Sequence, residues 1–293
     1  MIALNQLSRV GIGTSRAASL GSRLSLRAFT AFLDTATEQG VNLLDTSSFY
    51  GSGDAERLIA KGLKVTGHPF FVVTKAGLPY VHAPGWLSPL NQIAKKMKQR
   101  AGAIGNFTPA YLLRSTALSN QRLGVETADA LLLHEPSWDD LTGDDPWEGL
   151  AKIRQQGLAR YTGVSTNDYR VVAAGISSGQ VQLVQTAVAW RSNSAIAALC
   201  RTHRIPVIAN LALQPYRTLQ PQFARQATAI QHMSGLADMS LVQLLIAAVL
   251  AENQANTVLF GTSNLAHLVH NIGALRYVSS LPPALPTLNR LLK

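Results

Sequence analysis

The stretch Asn42–Glu56, "NLLDTSSFYGSGDAE", ends an apolar run on a carboxylate, Asp45, and sets a phenol, Tyr50, directly ahead of Gly-Ser-Gly. Two other apolar runs close on an ionisable group in the same way: "PFFVVTK" on Lys75 and "ADALLLH" on His134. A free phenol titrates near ~10 and donates its proton poorly at neutral pH. A neighbouring ammonium stabilises the phenolate and lowers that pKa, which makes donation easier. The ammonium is costly to bury alone, and a carboxylate beside it offsets the cost. An imidazole one strand further on is placed to hold a carbonyl oxygen in line with the phenol proton. Together the set suits protonation of an oxygen as hydride arrives at its carbon. Asp45 with Lys75 alone would read equally as a structural ion pair; Tyr50 and His134 turn the reading toward chemistry.

Such a set needs a frame that brings distant segments to one place. Short apolar runs bounded by turns occur at "SRVGIGT", "VNLLDT", "PFFVVTK", "ADALLLH", "ARYTGVST", "VQLVQTAV", "IPVIAN" and "NTVLFGT". Helical patterns lie between them, among them "AERLIAKGLK", "TPAYLLRSTALSNQRLG", "PWEGLAKIRQQG" and "MSLVQLLIAAVLAENQ", the last helix starting near Asn264. The alternation predicts an α/β fold, a single (β/α)8 TIM barrel over residues 1–293 with its active site at the C-terminal strand ends. The residues expected at those ends are Thr14, Asp45, Lys75, His134, Ser165, Gln185, Asn210 and Thr262. Two connections, Leu78 to Phe107 and Leu211 to Asp238, read as long loops leaving those ends.

Bulk composition excludes several classes. Of 293 residues, 47% are hydrophobic and 14% charged, which is globular rather than disordered. The run "LLIAAVLA" (Leu244 to Ala251) is too short to span a bilayer, so no membrane partner is expected. The single cysteine, Cys200, cannot form an internal disulfide, and a cytoplasmic location is expected. The segment before Asp34 is rich in Arg and Ser and mimics a transit peptide, but its strand and helix patterns assign it to the fold. The net charge of +10 is scattered, with only "KKMKQR" (Lys95 to Arg100) forming a run, so a solvated basic surface is expected and not a nucleic-acid partner. It would also attract a phosphorylated cofactor or an anionic substrate.

"GVNLLDTSSFYGSGDAERLIAKGL", "FFVVTKAG" and "LLLHEP" resemble the catalytic segments of the aldo-keto reductase family, with Asp45, Tyr50, Lys75 and His134 at the matching positions. The resemblance runs over nearly the whole chain. It implies an enzyme that reduces an aldehyde or ketone with NADP(H) or NAD(H), without a metal, Tyr50 supplying the proton. It implies further that Ser165, Asn167 and Gln185 hold the nicotinamide carboxamide. Asn210 stands where the family often has an aromatic residue stacked on the nicotinamide, and "LAL" replaces the family's Ser-Pro-Leu after it. "LFGTSNLAHLVHNIGAL" resembles the adenine-end segment, placing Gly261, Thr262 and Ser263 near the phosphate and Asn271 near the base. Thr262 to Asn264 open a helix, where free backbone N–H groups favour an anion. His267 occupies a position at which NADP-selective members tend to have arginine.

The alternative function is a nicotinamide-nucleotide-binding sensor or regulatory subunit with vestigial turnover. Cys200-x-x-His203 and His267-x-x-His270 have a spacing that a metal uses, but neither has a third ligand in the sequence, and no metal is expected. Trp86 and Trp138 fall in loops at the barrel mouth, as packing residues or as a substrate wall. The proline-containing tail "LPPALPTLNRLLK" is short, which suggests an open pocket. A monomer or small homo-oligomer acting on a small-molecule carbonyl substrate is the expected form.

Overall fold

The computed structural model describes residues 1–17, 24–78, 105–141 and 144–293. Trp86 and the basic run Lys95 to Arg100 lie outside the described residues. The strands are β1 (Val10–Gly13), β2 (Leu43–Asp45), β3 (Phe71–Ala76), β4 (Ala128–His134), β5 (Ala159–Ser165), β6 (Leu183–Ala187), β7 (Val207–Asn210) and β8 (Thr257–Phe260). All pair in parallel, each with its neighbours in sequence, and β1 closes the ring on β8. This is the (β/α)8 barrel expected from the alternation.

Helices wrap the ring: α1 (Leu26–Glu38), α2 (Asp54–Thr66), α3 (Pro109–Leu123), α4 (Pro146–Gln155), α5 (Tyr169–Ser177), α6 (Ala195–Thr202), α7 (Tyr216–Arg225), α8 (Ala227–Gln231), α9 (Leu241–Ala251), α10 (Leu265–Ile272) and α11 (Leu285–Leu291). Their starts are written in the sequence. Ser25, Asp145, Asp168, Ser194, Ser240 and Asn264 each accept a first-turn N–H, and Pro109 and Pro146 open α3 and α4. Helix α9 is the apolar run at Leu244; it is buried on nearly all sides behind the barrel.

One connection differs from expectation. The connection after β7 holds two helices, α7 and α8, because its polar sequence still carries apolar anchors such as Leu219 and Ile230 that reach the core. The C-terminal tail is also ordered. Its α11 buries Leu288 and Leu292, and Arg191 donates to Asn289 Oδ1, Leu288 O and Leu292 O.

Side-chain alternation divides the strands into two cores. Leu43, Phe71, Val73, Ala130, Leu132, Leu183, Ile208 and Leu259 fill the barrel interior, and Ile2, Leu4 and Leu7 plug its N-terminal end. Leu44, Val72, Leu131, Leu133, Val164, Val184 and Val258 face outward into the helix layer. The period of two then fixes which strand-end residues point in. Asp45 follows Leu43 by two, Lys75 follows Val73, His134 follows Leu132, Gln185 follows Leu183 and Asn210 follows Ile208. Thr14 and Thr262, just past the ends of β1 and β8, fall out of this phase. Thr14 instead donates to Asp45 O at 2.9 Å, and Gly13 and Gly261 take the inward places on their strands.

Candidate active site

The strand ends open on a cavity of ≈740 Å³ lined by Gly13, Asp45, Tyr50, Glu135, Ser165, Asn167, Asn210, Leu211 and Gly261, among others. A slightly larger hollow of ≈820 Å³ lies between Arg191, Arg201 and the C-terminal tail, away from the barrel mouth. Only the first brings together groups suited to proton transfer.

Lys75 is the hub. Its side chain is 1% exposed, and Nζ lies 2.6 Å from Asp45 Oδ1, 2.9 Å from Thr46 O and 3.5 Å from Tyr50 Oη. The Tyr50 ring stands under the ammonium, 5.0 Å from Nζ to the centroid, and meets the His134 ring edge-on at 5.9 Å. The turn after β2 places Tyr50. Gly51, Ser52 and Gly53 are all left-handed (φ 59, 55 and 89), a run that turns the chain sharply into α2. Gly53 is required twice over: its φ disfavours a side chain, and a Cβ there would lie 2.6 Å from Arg122 Cδ. Arg122 in turn pairs with the fully buried Glu56, whose other oxygen accepts from Thr74 Oγ1 at 2.6 Å. This buried strut ties the first turn of α2, close to Tyr50, to the residue before Lys75.

A second chain of hydrogen bonds crosses the barrel. Ser165 Oγ donates to Gln185 Oε1 at 2.6 Å, and Gln185 Nε2 donates to Asp45 Oδ1 at 2.8 Å. Both faces of the Gln185 amide are thus engaged below the cavity floor. Asn167 Oδ1 accepts from Thr186 Oγ1 and from the Ala187 N–H, which orients its Nδ2 group. Asn210 Oδ1 is buried with no partner among the described residues, and such an acceptor calls for a donor. These groups fit a carboxamide. At β8, Thr262 Oγ1 accepts from Asn264 N and Asn264 Oδ1 accepts from His267 N. The cap leaves the Leu265 and Ala266 N–H groups for an anion. Ser263 is partly exposed, His267 is exposed on the first turn of α10, and Asn271 is buried one turn on.

With this geometry in view, the comparisons with known proteins are decisive. The model of the Aldo/keto reductase family matches residues 9–281. The chain belongs to the aldo-keto reductase family. An uncharacterized oxidoreductase of Bacillus subtilis, YqkF, is 23% identical over 289 residues, covering 92% of this chain and 87% of its own. Pyridoxine 4-dehydrogenase of Escherichia coli is 25% identical over 254 residues, covering 83% and 79%. Among solved structures, an aldo-keto reductase from Klebsiella pneumoniae in complex with NADPH superposes with a TM-score of 0.72 at 20% identity, covering 98% of this chain and 91% of that one. That last likeness speaks for the barrel.

The electrostatics of this aldo-keto reductase differ in one respect from the simple expectation. Burial pushes the Tyr50 phenol up from 10.0; Lys75 pulls it down, Asp45 raises it again, and the net direction is upward. Burial alone would lower Lys75, but contact with Asp45 and Tyr50 outweighs it and holds the ammonium above 10.5. Lys75 therefore restrains the phenol rather than bringing it below its ordinary range. Both groups keep their protons at neutral pH.

Several residues that matter here escaped the sequence reading. Ser47 Oγ accepts from Phe49 N–H at 3.0 Å and lies 3.0 Å from His134 Nδ1, within hydrogen-bond reach of the ring. A proton donated by Ser47 to Nδ1 goes with the His134 tautomer that carries its hydrogen on Nε2. Ser48 Oγ donates to Lys75 O at 3.1 Å. The Ser-Ser pair between Asp45 and Tyr50 was the available signal. Glu56 and Arg122 gave none, since 66 residues separate them. Of the metal candidates, Cys200 is buried with its thiol pushed up to about 11 by that burial, and His270 bonds Ser240 Oγ. Among the described residues no three potential ligands cluster, and no helix is long and apolar enough to cross a membrane.

Proposed function

We propose that this protein reduces an aldehyde or ketone to an alcohol with NADPH or NADH, Tyr50 acting as general acid. The observation that carries the reading is the contact set of Lys75, which touches Asp45 and Tyr50 at the edge of the mouth cavity. The reduced nicotinamide, when bound, supplies the hydride. Tyr50 holds the proton that the carbonyl oxygen needs, and its raised pKa keeps that proton in place at neutral pH. Lys75 stabilises the phenolate left behind, and Asp45 keeps the ammonium charged in a dry site. The His134 Nε2–H offers the carbonyl oxygen a second donor and fixes its direction.

Ser165, Asn167 and Asn210 would hold the carboxamide, with Gln185 steadying Ser165 from below. Gly261, Thr262 and Ser263, with the first N–H groups of α10, would hold phosphate, and His267 and Asn271 the adenine end. The NADPH bound by the Klebsiella relative favours NADP(H). A screen of aldehydes and ketones that follows the loss of reduced-nicotinamide absorbance tests the proposal. Tyr50→Phe should lower kcat by at least the ~10²-fold expected of general acid catalysis while leaving cofactor affinity close to wild type. A Phe variant that keeps most of its turnover would remove Tyr50 from the role of acid.

A further inference from the structure

The residue directly after His134 is Glu135, and its backbone is left-handed at φ 54. Its N–H donates to Ser165 O at 2.8 Å, which ties this conformation to the end of the neighbouring strand. A non-glycine residue in that region is strained, and such strain persists only where the surroundings over-determine it. Glu135 is exposed and lines the mouth cavity along with Tyr50.

The charges lining that cavity do not cancel. Asp45 is matched by Lys75 at 2.6 Å, and Asp168 by Arg170 at 2.9 Å. Glu135 has no cation partner among the described residues, and none of those that line the cavity is Lys or Arg. Among the described residues, the mouth thus carries one unmatched negative charge in a chain whose formal net charge is +10. Long-range attraction of anions and short-range selection at the reacting centre have opposite signs.

We propose that Glu135 is a specificity-determining residue that turns the site toward carbonyl substrates bearing a cationic group and away from those bearing a carboxylate or phosphate. The inference rests on the reductase reading of this cavity. Its position beside the phenol has an independent sign: after burial and Asp45, the Glu135 carboxylate is a further influence raising Tyr50. A single charge facing a substituent across a partly solvated mouth changes its interaction about threefold in either direction, so opposite charges on the substrate separate by about tenfold.

The test compares kcat/KM for benzaldehyde, para-carboxybenzaldehyde and para-(trimethylammonio)benzaldehyde at low ionic strength, with NADPH, in wild type and Glu135→Gln. The ratio of cationic to anionic substrate should fall about tenfold in the variant, and added salt should shrink it in wild type alone. Dividing the wild-type ratio by the variant ratio removes the intrinsic reactivity of each aldehyde. If Glu135→Gln does not fold, Glu135→Asn supplies the same readout, because asparagine tolerates the left-handed backbone. Turnover of the aldehydes with a ratio unchanged within about twofold overturns the role of Glu135 and leaves the reductase reading standing. Absence of turnover with all three in wild type overturns both.

Discussion

Replacing Lys75 with methionine probes the site most sharply, because it keeps the volume and removes only the charge. The structure defines what is lost. Asp45 Oδ1 loses its partner at 2.6 Å and keeps the Gln185 amide at 2.8 Å; Thr46 O loses its donor at 2.9 Å. Asp45 is 5% exposed, so solvent compensates poorly for the lost ammonium. Removing one member of a buried pair costs about 3–5 kcal/mol, chiefly because the other charge is stranded. Against a typical total of roughly 5–15 kcal/mol, that is a large share. Lys75→Met with Asp45→Asn strands no charge, so urea unfolding should find the double variant more stable than the single one by about 2 kcal/mol. Turnover should be lost in both. A double variant no more stable than Lys75→Met would mean that the pair does not stabilise through its charges, and the account of Lys75 as a hub would fail with it.

Three further expectations follow from other contacts. The Tyr50 phenol and the Lys75 ammonium both bind protons more tightly in the folded protein than at their ordinary values of 10.0 and 10.5, so their stabilisation is full below those values and is lost as pH rises through the folded ones. Urea midpoints should thus decline steeply above about pH 10 in wild type and less so in Lys75→Met, and parallel declines would refute the linkage. Gly163→Ala should prevent folding or cost several kcal/mol, since its Cβ would lie 1.9 Å from Leu183 O on the paired strand; soluble protein with a wild-type Tm would contradict the register. His267→Arg should tighten NADPH binding severalfold and leave NADH unchanged in fluorescence titrations, because arginine meets a phosphate bidentately; equal gains for both cofactors would place His267 away from that phosphate.

The barrel was legible because its strands are short apolar runs with a polar residue or glycine at or next to the C-terminal end. That is the mark of strands covered on both faces with chemistry only at one end. The phase of β1 and β8 was harder to read. In both strands a glycine holds the inward place and a threonine follows it, and a polar residue attracts the eye where a missing side chain does not. The prolines of the tail do not keep it from forming a helix: Pro286 lies in the first turn of α11, where its missing N–H costs nothing. Within the site, the in-phase residues on β2 to β7 were placed by period alone, while Ser47, Arg122 and Glu135 act through contacts that depend on barrel closure. Glu135 is the clearest case. Its neighbour His134 announced the strand end, but only the closed barrel shows that the glutamate lines the cavity.

What closure adds is connection. Ser165, Gln185, Asp45, Lys75 and Tyr50 come from β5, β6, β2, β3 and the turn after β2, yet each contacts the next at 2.6, 2.8, 2.6 and 3.5 Å. The contact from Gln185 to Asp45 spans 140 residues of sequence and the width of the barrel. Parallel strands of an open sheet would hold those two residues several strands apart; the ring sets them face to face across its axis. Gln185 is suited to that place because its amide donates to a carboxylate on one side and accepts from a hydroxyl on the other, with no charge of its own to bury. A glutamate there would repel Asp45, and a leucine would leave both Ser165 and Asp45 short of a partner. The same residue thus fixes the orientation of Asp45, and through it the ammonium that faces the phenol. The side of the mouth suited to a carboxamide and the side suited to proton transfer are held in one register by a single neutral side chain.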